Sequence, residues 1–152
     1  EKNKKENVLQ AIKFALFSAS AGIIQVVSFT ILNELVLPHI NIENEAIMNI
    51  LSAEYGVCYL VALTLSVLWN FTFNRKFTFK SNANVAKAMT LVALFYVVFT
   101  PLSTLLEHFL TDSVHMNEYL VTIINMLLNF VLEFLYQRFV VYKNSIDTSE
   151  KQ

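Results

Sequence analysis

Two arginine-bearing stretches of the 152-residue chain contain residue types that bind phosphate. The first, WNFTFNRKFTFK at residues 69–80, holds Arg75 together with Lys76 and Lys80, and the second, EFLYQRFVVYK, holds Arg138. A planar guanidinium group suits bidentate recognition of phosphate oxygens, and lysine adds positive charge beside it. The same arginines also fit a simpler role, in which they anchor the end of a membrane helix. The residues alone leave both interpretations open.

Polar side chains recur every fourth residue within two otherwise apolar segments. Residues four apart lie on one face of a helix, so each set forms a stripe. A helix satisfies its own backbone hydrogen bonds in a membrane, but these side chains need partners or water. We expect them to line a polar groove, which Gln25 in an earlier apolar segment could join. The stripes are Asn125, Asn129, Glu133 and Gln137 in one segment and Ser66, Asn70 and Asn74 in the other.

Glu133 is the costliest of these residues, because a carboxylate near the bilayer centre costs about 2.5 kcal/mol or more. It must therefore face the helix bundle or a water-filled groove. A functional role and a purely structural pair with Arg75 or Arg138 both stay open for it. For the amides, the alternative role is interhelical contact, worth about 0.6 kcal/mol each.

The composition indicates that these stripes belong to a membrane protein. Apolar residues make up 55% of the chain and charged residues 15%, whereas soluble domains have about 25% charged residues. A transmembrane helix needs about 20 mostly apolar residues. We therefore predict an all-α polytopic membrane protein with four transmembrane helices, near Phe14–Leu37, Tyr55–Phe73, Ala88–Leu106 and Tyr119–Tyr136.

The distribution of charge predicts the orientation of these helices. All 11 basic residues lie before the first segment, between the second and third, or after the fourth. The other two loops and their edges carry acids instead, including Glu34, Glu54 and Glu107. Basic residues mark the cytoplasmic side, so both termini and the middle loop are predicted to lie inside. The basic residues are Lys2, Lys4, Lys5 and Lys13, then Arg75, Lys76, Lys80 and Lys87, then Arg138, Lys143 and Lys151.

We expect no cleavable secretory signal in the N-terminal region, because the first apolar run is too long and lacks an obvious cleavage site. The chain begins at Glu1 rather than at a methionine, which leaves open whether the native N-terminus is included.

The alternation of aromatic and polar residues at 69–80 is also typical of a half-buried strand or of a surface that stacks RNA bases. Either would lie outside the membrane, whereas Trp69 and Phe71 end a long apolar run. Aromatic and basic residues gather at the headgroup level of a bilayer. We therefore predict a helix to about Arg75, a segment lying on the membrane surface after it, and no nucleic-acid partner.

The two arginine-bearing stretches also match each other at a fixed offset along the chain. This match predicts a single transmembrane domain over 1–152, made of repeated helical hairpins at about 13–80 and 87–143, with a polar tail at 144–152. Such repeats are common among transporters. The alternative explanation for the match is that any helix ending on the cytoplasmic side carries aromatic and arginine residues that anchor it. The matching pairs are Phe71 and Phe134, Phe73 and Tyr136, Asn74 and Gln137, Arg75 and Arg138, Phe79 and Tyr142, and Lys80 and Lys143.

The sequence predicts no metal site, no cofactor and no catalytic activity. His39, His108 and His115 fall on the predicted outer side without the spacing of zinc ligands. The single cysteine, Cys58, lies in an apolar segment, where a buried and inert thiol is expected. The chain has no phosphate-cradling glycine loop, nucleophile elbow or nucleotide motif. We expect neither an ATP-driven step nor an enzyme.

The chain resembles the GtrA-like family of small bacterial membrane proteins. The resemblance covers about residues 13–143 and includes four spans, with a motif N-F-x-x-N-R-x-[FW]-[TV]-F closing the second span and a looser copy closing the fourth. Glu133 departs from the pattern, because the second copy often has asparagine there. The first copy consists of Asn70, Phe71, Asn74, Arg75, Phe77, Thr78 and Phe79, and the second of Arg138, Phe139, Val141 and Tyr142.

The resemblance implies transport, or help with transport, of polyprenyl-phosphate-linked sugars across the bacterial cytoplasmic membrane, for surface polysaccharides or teichoic acids. In this view Arg75 and Arg138, helped by Lys76 and Lys80, bind the phosphate, and the polar groove shelters the sugar. The implied partners are the lipid-linked sugar, membrane lipid and a glycosyltransferase of the same pathway, and a homo-oligomer would suit four short helices. Two other functions stay open. They are a membrane scaffold for such a glycosyltransferase and a proton-coupled exporter of small cations that uses Glu133.

Overall fold

The computed structural model describes residues 3–40, 43–52 and 56–150. Lys2, Glu54, Tyr55 and Lys151, which entered the span and charge predictions, lie outside the described residues. Within them the chain forms helices and connecting turns without a strand, so the all-α prediction is confirmed. The α-helices are α1 (Lys4–Thr30), α2 (Glu45–Ser52), α3 (Val57–Phe73), α4 (Val85–His108) and α5 (Glu118–Tyr136).

Four helical segments of the described chain are long and apolar enough to cross a membrane, which confirms the predicted number. Their outward faces carry large apolar side chains, and Leu16, Val97 and Met126 are 65%, 68% and 66% exposed. Such surfaces are unfavourable in water and suit contact with lipid. The segments are longer than predicted, at Lys4–His39, Val57–Thr78, Val85–Ser113 and Glu118–Val141.

The chain divides into two compact units, Glu1–Thr78 and Phe79–Gln152. The first unit is an antiparallel hairpin of α1 and α3, because Gln10 Nε2 near the start of α1 donates a 3.1 Å hydrogen bond to the Thr78 carbonyl oxygen after α3. The second unit is an antiparallel hairpin of α4 and α5. We call these units the first and second hairpins.

Asparagine side chains cap the start of both helices in the second hairpin. Asn84 Oδ1 accepts a 3.0 Å hydrogen bond from the Lys87 amide at the start of α4. Asn117 Oδ1 accepts one of 3.0 Å from the Tyr119 amide at the start of α5. These caps satisfy amides that have no partner within the helix and fix where each span begins.

Each spanning helix of the described chain continues into a π-helical turn. The turns after α3 and α5 begin at Asn74 and Gln137, which the sequence match pairs with each other. The turns after α1 and α4 begin at Ile31 and Phe109, which lie further apart along the chain, because the longer loop of the first hairpin contains the unpredicted helix α2. Duplication itself stays a prediction. The turns are Ile31–Val36, Asn74–Thr78, Phe109–Ser113 and Gln137–Val141.

The helical conformation at 69–80 extends through Thr78 rather than ending near Arg75. Aromatic rings four residues apart stack along one helix face: the centroids of Trp69 and Phe73 lie 4.2 Å apart, and those of Phe73 and Phe77 lie 5.6 Å apart. Helical stacking therefore explains the aromatic spacing, and the stretch that could lie on a membrane surface begins later than predicted.

The predicted polar tail packs against the segment that follows Thr78. The Asp147 amide donates a 2.9 Å hydrogen bond to the Phe79 carbonyl oxygen, and the hydroxyl oxygens of Ser81 and Ser145 lie 2.6 Å apart. A short 3-10 helix at Thr148–Glu150 completes this contact. The described part of the tail therefore belongs to the folded second hairpin.

Candidate functional site

The polar stripe of the first hairpin forms a chain of hydrogen bonds. Asn70 Oδ1 accepts from Asn74 Nδ2 at 2.7 Å and from the Ser18 hydroxyl of α1 at 3.3 Å. Asn74 is fully buried, and its Oδ1 accepts a 2.7 Å hydrogen bond from the Thr78 hydroxyl. The structure thus brings the predicted residues Asn70 and Asn74 together and adds Ser18 and Thr78 to them.

The polar stripe of the second hairpin centres on Glu133, which is 3% exposed. Its Oε2 accepts a 2.7 Å hydrogen bond from the Tyr96 hydroxyl of α4, and its Oε1 accepts one of 2.9 Å from Gln137 Nε2. Gln137 is itself 1% exposed. Both partners are neutral, so hydrogen bonds rather than an ion pair with Arg138 hold this carboxylate within the hairpin.

The two hairpins build this cluster at matching positions. Glu133 occupies the position that the sequence match pairs with Asn70, and each accepts a hydrogen bond from the amide one helical turn later. The hydroxyl donors are Ser18 in the first hairpin and Tyr96 in the second. They are as many residues apart in the sequence as Ile31 and Phe109, where the π-helical turns after α1 and α4 begin. The arrangement is therefore the same in both hairpins, but only the second one carries a carboxylate.

A groove of about 310 Å³ lies between α4 and α5, continuing from the Glu133 cluster toward the start of α5. Asn125 Nδ2 donates to the Ser103 carbonyl oxygen at 3.3 Å and to Glu107 Oε2 at 3.4 Å. Its Oδ1, and that of Asn129, are buried without a hydrogen-bond partner among the described residues. A buried acceptor left unpaired costs about 1–3 kcal/mol. The polar lining includes Tyr96, Thr100, Ser103, Glu107, Asn125 and Asn129.

Two predicted groove residues of the first hairpin do not join these hydrogen bonds. Ser66 is buried on α3, at the position that matches Asn129, and it does not contribute to the bonded chain of Asn70. Gln25 is half-buried on α1, and no hydrogen bond among the described residues links it to that chain. The polar groove is therefore best developed in the second hairpin.

The predicted phosphate-binding residues lie at the ends of α3 and α5. Arg75 and Arg138 are half-buried and occupy the second position of their π-helical turns. Lys76 is exposed, with its Nζ 5.3 Å from the centroid of the neighbouring Phe77 ring. Lys80 forms an ion pair with Glu150 of the tail, so a phosphate would have to compete with that carboxylate. Their role in phosphate binding stays a prediction.

The sequence did not identify the groups that complete the cluster and the groove. Ser18, Tyr96, Ser103 and Glu107 lie on the first helix of each hairpin, whereas the predicted stripes lie on the second. One signal could have found Tyr96. A carboxylate inside a span needs donors, and a tyrosine within a long apolar run is one of few side chains that can supply one.

The described residues include no group of three His, Cys, Asp or Glu side chains that could hold a metal ion. Cys58 is buried in α3 as a free thiol. His108 Nδ1 lies 3.4 Å from Asp112 Oδ2, one helical turn away on the exposed end of α4.

Comparison with known families gives one match over most of the chain. The family model described as "GtrA/DPMS, transmembrane domain" matches residues 13–142. No curated protein and no solved structure matches the chain. The matched range includes both hydrogen-bonded clusters, the groove and both arginine-bearing turns.

Proposed function

Because the chain belongs to the GtrA/DPMS transmembrane domain family, we propose that it moves a polyprenyl-phosphate-linked sugar from the inner to the outer leaflet of a bacterial cytoplasmic membrane. The family is associated with translocation of membrane glycosyl lipids. In this proposal the termini and the arginine-bearing turns face the cytoplasm. The translocated sugar serves glycosylation of a surface polysaccharide or teichoic acid, and a glycosyltransferase of the same pathway supplies the lipid.

The observation that supports translocation is the continuous polar face of α5. It runs from Gln137, just after α5, and Glu133 through Asn129 to Asn125, across about half of the Glu118–Val141 span. Two of its amide oxygens are buried without partners among the described residues. Two helices that only packed together would gain nothing from such groups, because unpaired polar atoms are unfavourable away from water. A hydroxyl-rich headgroup that crosses the membrane would find hydrogen-bonding groups along the groove, including Tyr96, Thr100 and Ser103.

The arginines provide the second element of the proposed mechanism. Arg75 and Arg138 lie where their helices end, and in this proposal each of these ends meets the membrane interface, where a lipid phosphate lies. A half-buried guanidinium can donate two hydrogen bonds to phosphate oxygens, while Lys76 and Lys80 add positive charge. The lipid tail stays in the bilayer, and the sugar passes along the polar face. No covalent step is needed, so the chain acts as a transporter and not as an enzyme.

Movement is driven in this proposal by consumption of the sugar on the outer side. Coupling to protons through Glu133 is the other available source of energy, because this carboxylate is the one acid on the polar face of α5.

The test is transbilayer movement of a fluorescent polyprenyl-phosphate hexose in liposomes that contain only this protein. The Arg75→Ala/Arg138→Ala variant should move the lipid at least about tenfold more slowly, since each lost charge-assisted contact is worth about 1.5–3 kcal/mol. The matched control is Lys4→Ala/Lys5→Ala, which removes the same charge from an exposed helix start. Equal rates in the arginine variant and the wild type would rule out the proposed phosphate site.

A different result would favour the scaffold function. If folded wild-type protein moves the lipid no faster than empty liposomes do, the chain does not translocate the sugar by itself. The glycosyltransferase partner would then be the next component to add to the same liposomes.

A further inference from the structure

The short helix α2, in the loop of the first hairpin, has a polar side and an apolar side. Glu45 and Asn49 lie four residues apart and form the polar side. At 100° per residue, the apolar residues fall together on the rest of the helix surface. A helix of this kind suits a boundary between water and an apolar medium. The apolar residues are Ala46, Ile47, Met48, Ile50 and Leu51.

Only part of the apolar side of α2 is covered by protein. The helix packs against α3, and Met48 and Leu51 are half-buried. Ile47 and Ile50, in contrast, are 48% and 62% exposed, and Ala46 beside them is exposed as well. We call Ala46, Ile47 and Ile50 the open apolar strip.

A helix as short as α2 depends on apolar contacts for its stability. It spans eight residues, whereas isolated helices shorter than about 12–15 residues are marginal in water. Asn44 Oδ1 accepts a 3.0 Å hydrogen bond from the Ala46 amide, but such a cap stabilises only the start of the helix. Contact with α3 covers one part of the apolar side, so a second apolar contact on the open apolar strip would stabilise α2 further.

The two spans of the first hairpin end at different levels near α2. The helices are antiparallel and Ser18 contacts Asn70, so Val57 at the start of α3 lies level with Ile31. The first span continues from there to His39, and the rise per residue places its end about 12 Å further along the axis. The helix α2 contacts α3, so it lies near the lower of these two levels.

Exposed apolar side chains of the first span continue past the level at which α3 begins. Leu35, Val36 and Ile40 all lie beyond Ile31, and each is exposed. Such side chains suit lipid and are unfavourable in water. The bilayer that these side chains contact therefore extends to the level of α2, and it is the nearest apolar medium for the open apolar strip.

The charge around α2 limits which lipids would favour this contact. No lysine or arginine occurs between Phe14 and Asn74, and Glu43 and Glu45 are exposed at the start of the helix. Many interfacial helices instead carry lysine and arginine, which attract anionic lipids. Here an anionic headgroup would be repelled, so the contact has to come from apolar burial alone.

A second copy of the chain fits the open apolar strip less well than lipid does. A stable protein interface buries about 800 Å² on each partner, and two partly exposed isoleucine side chains provide far less. A lipid surface has no such minimum area, because each side chain enters the bilayer separately.

We propose that α2 lies in the membrane interface at the end of the first hairpin opposite Arg75, with Ile47 and Ile50 inserted among the acyl chains of lipids that carry no net charge. In the predicted orientation these lipids belong to the outer leaflet. The described loop of the second hairpin contains no counterpart of α2. The inference is independent of the proposed function, because it uses only the spans and this helix.

The first test measures the depth of α2 by spin-label accessibility in the full chain. The chain carries Cys58→Ala, which removes its single cysteine, and a nitroxide is attached at Ile50→Cys or, as the matched control, at Asn49→Cys. Oxygen concentrates in the bilayer and a nickel chelate in water. In phosphatidylcholine nanodiscs, the ratio of oxygen to nickel collisions should be several-fold higher at position 50 than at position 49.

Other results of this test would overturn the inference. Equal ratios at the two positions would mean that the open apolar strip faces water. An immobile label at position 50 that neither reagent reaches would mean that a second copy or another segment covers the strip. A difference seen only in phosphatidylglycerol nanodiscs would mean that anionic headgroups, rather than apolar burial, hold the helix.

The second test needs no label and uses hydrogen exchange of the α2 amides in phosphatidylcholine nanodiscs. Ile47→Ser/Ile50→Ser should speed their exchange at least about tenfold, because burial of an isoleucine side chain in lipid is worth a factor of that size. The matched control is Asn49→Ser, on the polar side of the same helix, which should exchange like the wild type. Serine, isoleucine and asparagine have similar helix propensities, so the substitutions differ mainly in the side they change.

The exchange rates can also contradict the inference. If the double variant exchanges like the wild type, contact with α3 alone holds α2 in place. If the control speeds exchange as much as the double variant does, the apolar strip has no special role. Either result would overturn the lipid contact whether or not the protein moves a lipid-linked sugar.

Discussion

The Tyr96 hydroxyl reaches across from α4 to donate a 2.7 Å hydrogen bond to Oε2 of Glu133 on α5. This contact joins the two helices of the second hairpin at the point where the stripe of α5 carries its only acid. Tyr96 also lines the groove between α4 and α5. Tyr96, which donates to the buried carboxylate of Glu133, thus lines the groove along which a polar headgroup would pass in the proposed mechanism.

Removal of the Tyr96 hydroxyl should destabilise the second hairpin. Tyr96→Phe leaves the ring in place but removes a donor to a carboxylate, and such hydrogen bonds contribute about 1.5–3 kcal/mol. Unfolding of the purified protein by SDS titration in micelles would measure the loss. The control is Tyr119→Phe, because Tyr119 is 82% exposed. If both variants unfold at the same denaturant concentration, the hydrogen bond does not stabilise the hairpin.

Replacement of Glu133 should separate its structural role from its charge. Glu133→Gln keeps an oxygen for the Tyr96 hydroxyl, and the Gln137 amide can turn to present its unpaired Oε1 to the new amide. The cost should therefore stay below about 1 kcal/mol. The Asn70–Asn74 pair already uses such an amide–amide contact at the matching position.

The alanine variant of the same residue should be worse. Glu133→Ala leaves the Tyr96 hydroxyl and Gln137 Nε2 without an acceptor, at about 1–3 kcal/mol for each. Unfolding measurements on both variants test this order. If Glu133→Gln folds normally but no longer responds to an imposed pH gradient in the liposome assay, the carboxylate carries protons. An unchanged response would exclude that role.

The Thr78 hydroxyl should stabilise the end of α3 through Asn74. Thr78→Val removes the donor to a fully buried amide oxygen at a nearly constant side-chain shape, for an expected loss of about 1 kcal/mol. Thr72→Val is the control, because Thr72 is exposed on the same helix. A double-mutant cycle with Asn74→Ala should give a coupling energy of about 0.5–3 kcal/mol. Additive effects would contradict a direct interaction.

The ion pair between Lys80 and Glu150 should add little to stability. The two side chains are 35% and 57% exposed, and exposed pairs contribute about 0.2–1 kcal/mol. Glu150→Gln should therefore shift the free energy of unfolding by less than about 1 kcal/mol. A larger loss would mean that the tail depends on this pair more than on its backbone hydrogen bonds.

The tail should protect the start of the second hairpin, at Phe79 and Lys80, from proteases. The amides of Asp147 and Ser149 donate to the carbonyl oxygens of Phe79 and Lys80, at 2.9 and 3.0 Å. A chain that ends at Lys143 loses both hydrogen bonds, so trypsin should cleave after Lys80 faster than in the full chain. Mass spectrometry of timed digests measures this rate. Equal rates would show that the tail does not shield this segment.

The sequence predicted the features that follow from a single helix. Long apolar runs identify the spans because a bilayer requires about 20 apolar residues, and four-residue spacing places Asn70 and Asn74, or Glu133 and Gln137, on one face. The structure joins both pairs by hydrogen bonds. Position on a helix face is a local property, which is why it can be read from spacing.

The features that depend on two helices were not predictable in the same way. Tyr96 and Ser18 contact the stripes only because their helices pack in one register, and spacing within a sequence does not specify that register. The end of the helical conformation that begins with α3 was placed too early, because the π-helical turn at Asn74–Thr78 has no distinctive composition. The tail was assigned no structure because its contacts are mostly backbone hydrogen bonds, which any short polar segment could make.

The π-helical turns after α3 and α5 also affect how related chains can be compared. A π-helical turn holds an additional residue relative to an α-helical turn, so it rotates everything after it by about 100° about the axis. Both turns, Asn74–Thr78 and Gln137–Val141, contain such an additional residue. The residues that follow them therefore still match each other at the same sequence offset in the two hairpins. A relative with an ordinary α-helical turn there would be one residue shorter. A relative of equal length with an α-helical turn there would instead rotate Phe79 and Tyr142, both fully buried in this chain, by about 100° about the helix axis unless its connecting chain compensated.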